Sequence, residues 1–174
     1  MSTETYTAPR VPLYVRFANV VLRPLLLLGL RRPPMALLSV PGRRSGRPRT
    51  TPVGLLVLDG RRYLFSAFGE VNWVRNLRAA GVATIAEGRQ RETLHAAELS
   101  AEEAGSVIRS ILKSPTYAPV VRPYFPVGND APLTDFVHEA RRHPVFELSV
   151  SAARSSSEKR NSTVVNAEFN ERIS

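Results

Sequence analysis

Four arginines, Arg43, Arg44, Arg47 and Arg49, fall within seven residues of the stretch Ser39-Val40-Pro41-Gly42-Arg43-Arg44-Ser45-Gly46-Arg47-Pro48-Arg49-Thr50-Thr51-Pro52. Guanidinium groups stay charged at any working pH and grip a phosphate or carboxylate at two points. Gly42 and Gly46 permit φ > 0 turns in which successive backbone N–H groups converge on one anion. The chemistry this spacing offers is therefore an anion cradle, and the competing reading is a solvated basic turn.

Other chemistries find less support. His95, His138 and His143 lie in unrelated contexts without metal-ligand spacing, which points to packing or surface roles. There is no G-x-S-x-G elbow, and the glycines of the basic loop lack the Gly-Lys-Ser/Thr ending of a P-loop. The absence of cysteine removes disulfides, thiolate metal sites and a cysteine nucleophile, and fits a reducing cytoplasm. Tyr117 and Tyr124, in a proline-rich segment, are expected first to pack in a covering lid, and either offers its hydroxyl to a small-molecule acceptor if that segment folds over a pocket.

Charge is concentrated where the cradle lies. The 174 residues carry a formal net charge of +9. From Thr5 to Leu58 there are nine arginines and no Asp or Glu, whereas from Asp59 onward fifteen basic residues nearly cancel fourteen acidic ones. The partner of the first third is expected to be anionic. Nucleic acid is not expected, because this third lacks the interleaved aromatics of a single-strand platform. The start, Ser2-Thr3-Glu4-Thr5, lacks the basic region of a cleavable signal, so a cytoplasmic protein is expected.

The elements that must position these residues can be read in order. Residues 1–34 are expected to form an amphipathic helix and lead-in. Val11 to Leu30 is strongly apolar, with Arg16, Asn19 and Arg23 on one face, and suits the inner membrane surface better than a bilayer span, the competing reading being a helix packed on its own domain or on a dimer partner. Residues 35–150 form the folded domain, with strands at Met35–Pro41, Val53–Leu58, Arg62–Ala67, Val82–Glu87, Gln90–Leu99 and Pro144–Val150. Asp59-Gly60 and Gly88 mark hairpins. Asn72 is the expected cap and Gly81 the expected stop of a short helix, and Ser100-Ala101-Glu102-Glu103 has capping-box spacing for a helix ending near Lys113. A further helix covers Leu133 to Arg142, and the polar segment 151–174 is expected to be disordered.

In this order the motifs become familiar. An apolar strand, then Gly-Arg-Arg-Ser-Gly-Arg-Pro-Arg-Thr-Thr-Pro, a strand ending in Asp-Gly-x-Arg-Tyr, then Trp-x-x-Asn-Leu-Arg-Ala closely resembles the deazaflavin-dependent nitroreductase family, from about Leu13 to Val150. The resemblance implies a mainly β (α+β) fold with rim helices, a six-stranded antiparallel split β-barrel of the type that binds flavin mononucleotide. It implies coenzyme F-420 as hydride carrier, with flavin mononucleotide or no redox cofactor as alternatives, and an oxidoreductase acting on quinone-like or other activated acceptors. Carried over by motif, Arg43, Arg44, Ser45, Gly46 and Arg49 would hold the cofactor's phosphate and oligoglutamate tail. Thr51 and Pro52 would open the next strand, and Ser66, Ala67 and Trp73 would border the ring.

Ser66-Ala67-Phe68-Gly69-Glu70-Val71-Asn72-Trp73 is shorter than the family's segment and carries an acid. Glu70 is therefore expected to repel an anionic cofactor, so that Glu70→Gln should bind it more tightly. The same departure resembles a divergent branch for which the alternative role is non-catalytic binding of a lipid or fatty acid. Split barrels often pair, so a homodimer is expected.

Overall fold

The computed structural model describes residues 34–150, and the expectations for the segments on either side lie outside them. Six strands form a closed antiparallel barrel: β1 (Met35–Pro41), β2 (Pro48–Leu58), β3 (Arg61–Phe65), β4 (Val82–Glu87), β5 (Gln90–Glu98) and β6 (Val145–Val150). Around the barrel the order is β1-β2-β3-β6-β5-β4, with β4 returning to β1. The helices are α1 (Asn72–Ala80), α2 (Ala101–Lys113), α3 (Ala118–Val121) and α4 (Leu133–Ala140), with a 3-10 turn at Arg122–Tyr124.

Strand alternation divides the apolar residues between two cores. Ala36, Leu38, Val40, Leu55, Leu64, Phe146 and Leu148 join one buried cluster, to which α1 adds Val74 and Leu77. The neighbouring positions Leu56, Tyr63 and Val145 face the opposite way, into a second cluster with Ile108, Ile111 and Leu112 of α2, Val121 of α3 and Phe136 and Ala140 of α4. The barrel is thus filled on one side and sheathed by helices on the other. Among the described residues no helix is long and apolar enough to cross a membrane.

Local signals act where the sequence placed them. Asp59 and Gly60 both take positive φ, 49° and 75°, as a two-residue hairpin turn requires. Gly81 closes α1 in the left-handed region, its N–H bonded to the Leu77 carbonyl. Ser100 and Glu103 form the full reciprocal capping box of α2.

Several boundaries differ from expectation, each for a tertiary reason. β2 begins at Pro48 rather than Val53, because the ladder with β1 runs from Met35↔Gly54 to Pro41↔Pro48. A 2.7 Å hydrogen bond between the Ser39 and Thr50 hydroxyls ties the added segment. β3 ends at Phe65 rather than Ala67, where a turn with Gly69 at φ 67° takes over. Asn72 is the first helical residue and not the cap; Val71 takes that place without a side-chain bond. α4 ends at Ala140. The proline-rich connection, read only as a covering segment, contains α3 and the 3-10 turn.

Candidate active site

The basic loop is reduced to six residues, Gly42 to Arg47, since both ends belong to strands. It closes on itself through Gly42 N–H to the Arg47 carbonyl at 2.9 Å and Gly46 N–H to the Gly42 carbonyl at 2.7 Å. Only Gly46 uses the left-handed region, at φ 65°. Room is tight at Gly42 instead: a Cβ there would lie 3.1 Å from the Ser45 hydroxyl and 3.2 Å from the Arg47 carbonyl. This corrects the expectation that both glycines supply positive φ.

Beside the loop lies a cavity of about 830 Å³. Its basic side is lined by Gly42, Arg43, Arg44, Ser45 and Arg49, continuing through Thr50, Thr51 and Pro52 of β2. Its apolar side includes Val53, Leu56, Phe65, Phe68, Trp73 and Val121, with Tyr124 from the 3-10 turn. Among the described residues, three arginines and no carboxylate line it. Phe68 and Tyr124, both on its lining, meet edge to face with their ring centroids 5.4 Å apart.

Of the residues expected at the site, Arg43, Arg44, Ser45, Arg49, Thr51, Pro52, Ser66, Ala67, Trp73 and Tyr124 are brought to this one cavity. Gly46 shapes the loop without lining the cavity, and Arg47 is exposed outside it. Tyr117 is placed elsewhere. Its hydroxyl accepts from the Val57 N–H at 3.0 Å and donates to the Val57 carbonyl at 3.2 Å, serving β2 beyond Gly54, where β1 no longer pairs. Ser66 also spends its hydroxyl on structure, donating to the Gly69 carbonyl at 2.5 Å.

Asn76, missed in the sequence as a site residue, is 7% exposed and lines the cavity. Its Oδ1 accepts from the Arg43 backbone N–H at 3.3 Å and from the Arg43 guanidinium at 3.0 Å. One amide oxygen thus fixes both the loop and the direction of its first arginine. The available signal was the helical spacing of Trp73 and Asn76, three residues apart on one face.

Glu70 corrects the expected repulsion. It does not line the cavity. Its carboxylate binds Arg78 and lies 3.9 Å from Arg75, while Arg78 also makes two bonds to Glu98, at 2.6 and 2.7 Å. The hydrogen bond and charge of Arg78, with a smaller contribution from Arg75, hold the Glu70 carboxyl below its ordinary value. A carboxylate compensated in this way and facing outward leaves little field in the cavity. Glu70→Gln is therefore expected to change cofactor affinity by less than about twofold, read by fluorescence titration. Tightening of tenfold or more would return the charge to the site.

Comparison with known proteins identifies the family. A family model described as F420H(2)-dependent quinone reductase matches residues 27–120, more than half of the chain. The chain belongs to the F420H(2)-dependent quinone reductase family, and its cofactor is coenzyme F-420. It is accordingly an F-420-dependent oxidoreductase, which selects that reading over the lipid-binding alternative and over flavin mononucleotide. Among solved structures it is similar to an F420-H2-dependent reductase, FDR-A, at 21% identity over 69% of this chain and 96% of that one, with a TM-score of 0.49. It is also similar to a protein of unknown function from Agrobacterium tumefaciens, at 20% identity over 87% and 60% of the two chains, with a TM-score of 0.48. No curated protein matches it.

The donor set fits the cofactor. Arg43, Arg44, Arg49 and the Ser45 hydroxyl present only cationic or neutral donors to an anionic arm, and the aromatic side offers flat apolar surface to a ring.

Proposed function

We propose that the cavity holds F-420 with its phosphate and carboxylate arm on Arg43, Arg44, Ser45 and Arg49, and its ring along Ser66, Ala67 and Trp73. A quinone-class acceptor would then meet the ring on the apolar side. The observation that carries this reading is one cavity that the described residues line with three arginines at one side, aromatic and aliphatic walls at the other, and no carboxylate. When bound, the reduced cofactor supplies a hydride. The chain's own residues bind and orient: Asn76 aims Arg43, and Val53, Leu56 and Phe65 displace water from the apolar side. Reduction of a quinone also requires a proton at the acceptor oxygen, and among the described residues Tyr124 is the one phenol lining the cavity. Its hydroxyl donates or orders that proton in this reading.

Titration of the protein with F-420, followed by turnover with a soluble quinone, tests the assignment. Tyr124→Phe should lower turnover about tenfold while leaving cofactor affinity within about twofold, because water at the open mouth still delivers a proton slowly. Unchanged turnover would remove Tyr124 from the acceptor side.

We further propose that the protein is cytoplasmic and docks peripherally on the inner, anionic membrane face through Val11 to Leu30 and the adjoining Arg31 and Arg32, where lipid-soluble quinones reside. Intact protein should sediment with anionic liposomes, and deletion of residues 1–30 should release it. Equal sedimentation of both forms would refute the docking. The expected homodimer is tested by sedimentation equilibrium, where a single species of monomer mass would exclude it.

A further inference from the structure

Ser66, Ala67 and Phe68 form part of the cavity wall just beyond the end of β3. The β3–β6 register pairs Phe65 with Val145, which sets Ser66 opposite Pro144. The Ser66 N–H donates to the Pro144 carbonyl at 2.9 Å. In an antiparallel ladder such a pair normally exchanges two hydrogen bonds, the second running from the N–H of the opposite residue to the Ser66 carbonyl. Proline has no N–H to give.

That carbonyl belongs to a residue only 2% exposed, and an unpaired oxygen there would be costly. Nδ1 of His143 lies 3.0 Å from it. A carbonyl can only accept, so Nδ1 carries the proton. The Gly69 N–H also reaches the same oxygen, from within the turn, at 3.4 Å. His143 and Pro144, adjacent in sequence, therefore grip both backbone polar groups of Ser66.

We propose that His143 is a positioning residue of the site: its imidazole supplies the ladder hydrogen bond that Pro144 cannot make, and so sets the Ser66–Gly69 turn that carries Ala67 and Phe68 to the cavity. The ring is held for this task. It is 8% exposed and packs on Phe125, with centroids 4.7 Å apart, while Phe125 in turn packs on the cavity residue Phe65. Nε2 faces Glu139 Oε2 at 3.7 Å, and Arg142 lies 3.9 Å from the other oxygen of that carboxyl. Burial lowers the His143 pKa, against the opposing pull of the Ser66 bond and the Glu139 charge, while Arg142 adds to the lowering. The imidazole is accordingly neutral at pH 7, with its single proton committed to Ser66.

The strut is a property of the free protein, and only its effect on binding rests on the cofactor reading above. Long-range nitrogen–proton NMR of the cofactor-free chain at pH 7 should show His143 neutral and protonated on Nδ1. A ring protonated on Nε2 alone would overturn the proposal. His143→Leu should lower the thermal midpoint and weaken F-420 binding about tenfold. Adding Pro144→Ala, which restores an N–H at the same ladder position, should recover most of both. A double variant no better than His143→Leu would overturn the proposal, because a ring needed only for packing would not be replaced by a backbone N–H. If His143→Leu does not fold, recovery of folding by Pro144→Ala takes the place of the thermal readout. If wild type fails to bind F-420, the cofactor reading falls, while the tautomer and the thermal rescue still decide the strut.

Discussion

Replacing Arg43 by Ala is expected to weaken F-420 binding by about 1.5 to 3 kcal/mol, roughly ten- to 150-fold, with the fold unchanged. Arg43 is the cradle arginine whose direction is set by a buried partner, the Asn76 amide. Its guanidinium is therefore aligned before any anion arrives, and less ordering entropy is lost on binding than for a free surface arginine. Arg43 itself is exposed, and its backbone N–H keeps its bond to Asn76 in the variant, so the loop should hold its shape. Asn76→Ala should weaken binding less, by about 1 kcal/mol, since the charge remains while its alignment is lost. Fluorescence titration at two ionic strengths measures both, and affinity should fall with added salt because the charges at the mouth are partly screened. Unchanged affinity in Arg43→Ala, Arg44→Ala and Arg49→Ala alike would remove the cradle as the anion site.

Gly105→Ala is expected to destabilise the fold by about 2 kcal/mol, although alanine is normally the better helix residue. Intrinsic propensity would favour Ala inside α2 by about 1 kcal/mol. Against this, a Cβ at Gly105 would stand 2.8 Å from the Val137 nitrogen and 2.9 Å from its Cα, so that backbone and not a movable side-chain tip obstructs it. α2 and α4 would have to separate, opening the cluster of Ala104, Ile108, Phe136 and Ala140. Strain and lost packing therefore outweigh propensity. A fall of the thermal midpoint by about 5 °C or more checks the prediction. A rise would show that the helices part at little cost.

The sequence by itself determined what depends on neighbours within a few residues. The Asp59-Gly60 turn, the Ser100 capping box and the Gly81 stop are local signals. The arginine loop was equally legible, because its arginines and glycines lie within the eight residues from Gly42 to Arg49. Its extent was not, since Arg49 to Pro52 pass into β2 through the register with β1.

Tertiary structure alone decided which functional groups remain available to the cavity. Tyr117 and Tyr124 look alike in sequence, yet one hydroxyl is bound to the Val57 backbone while the other residue lines the cavity. Glu70 looked like a charge near the ring until α1 and β5 brought Arg78 and Glu98 beside it. Asn76 meets Arg43 across 33 residues of chain, and His143 meets Ser66 across 77. These pairings arise from barrel closure and strand register, which place residues distant in sequence in contact; the propensity of a single segment contains no record of them.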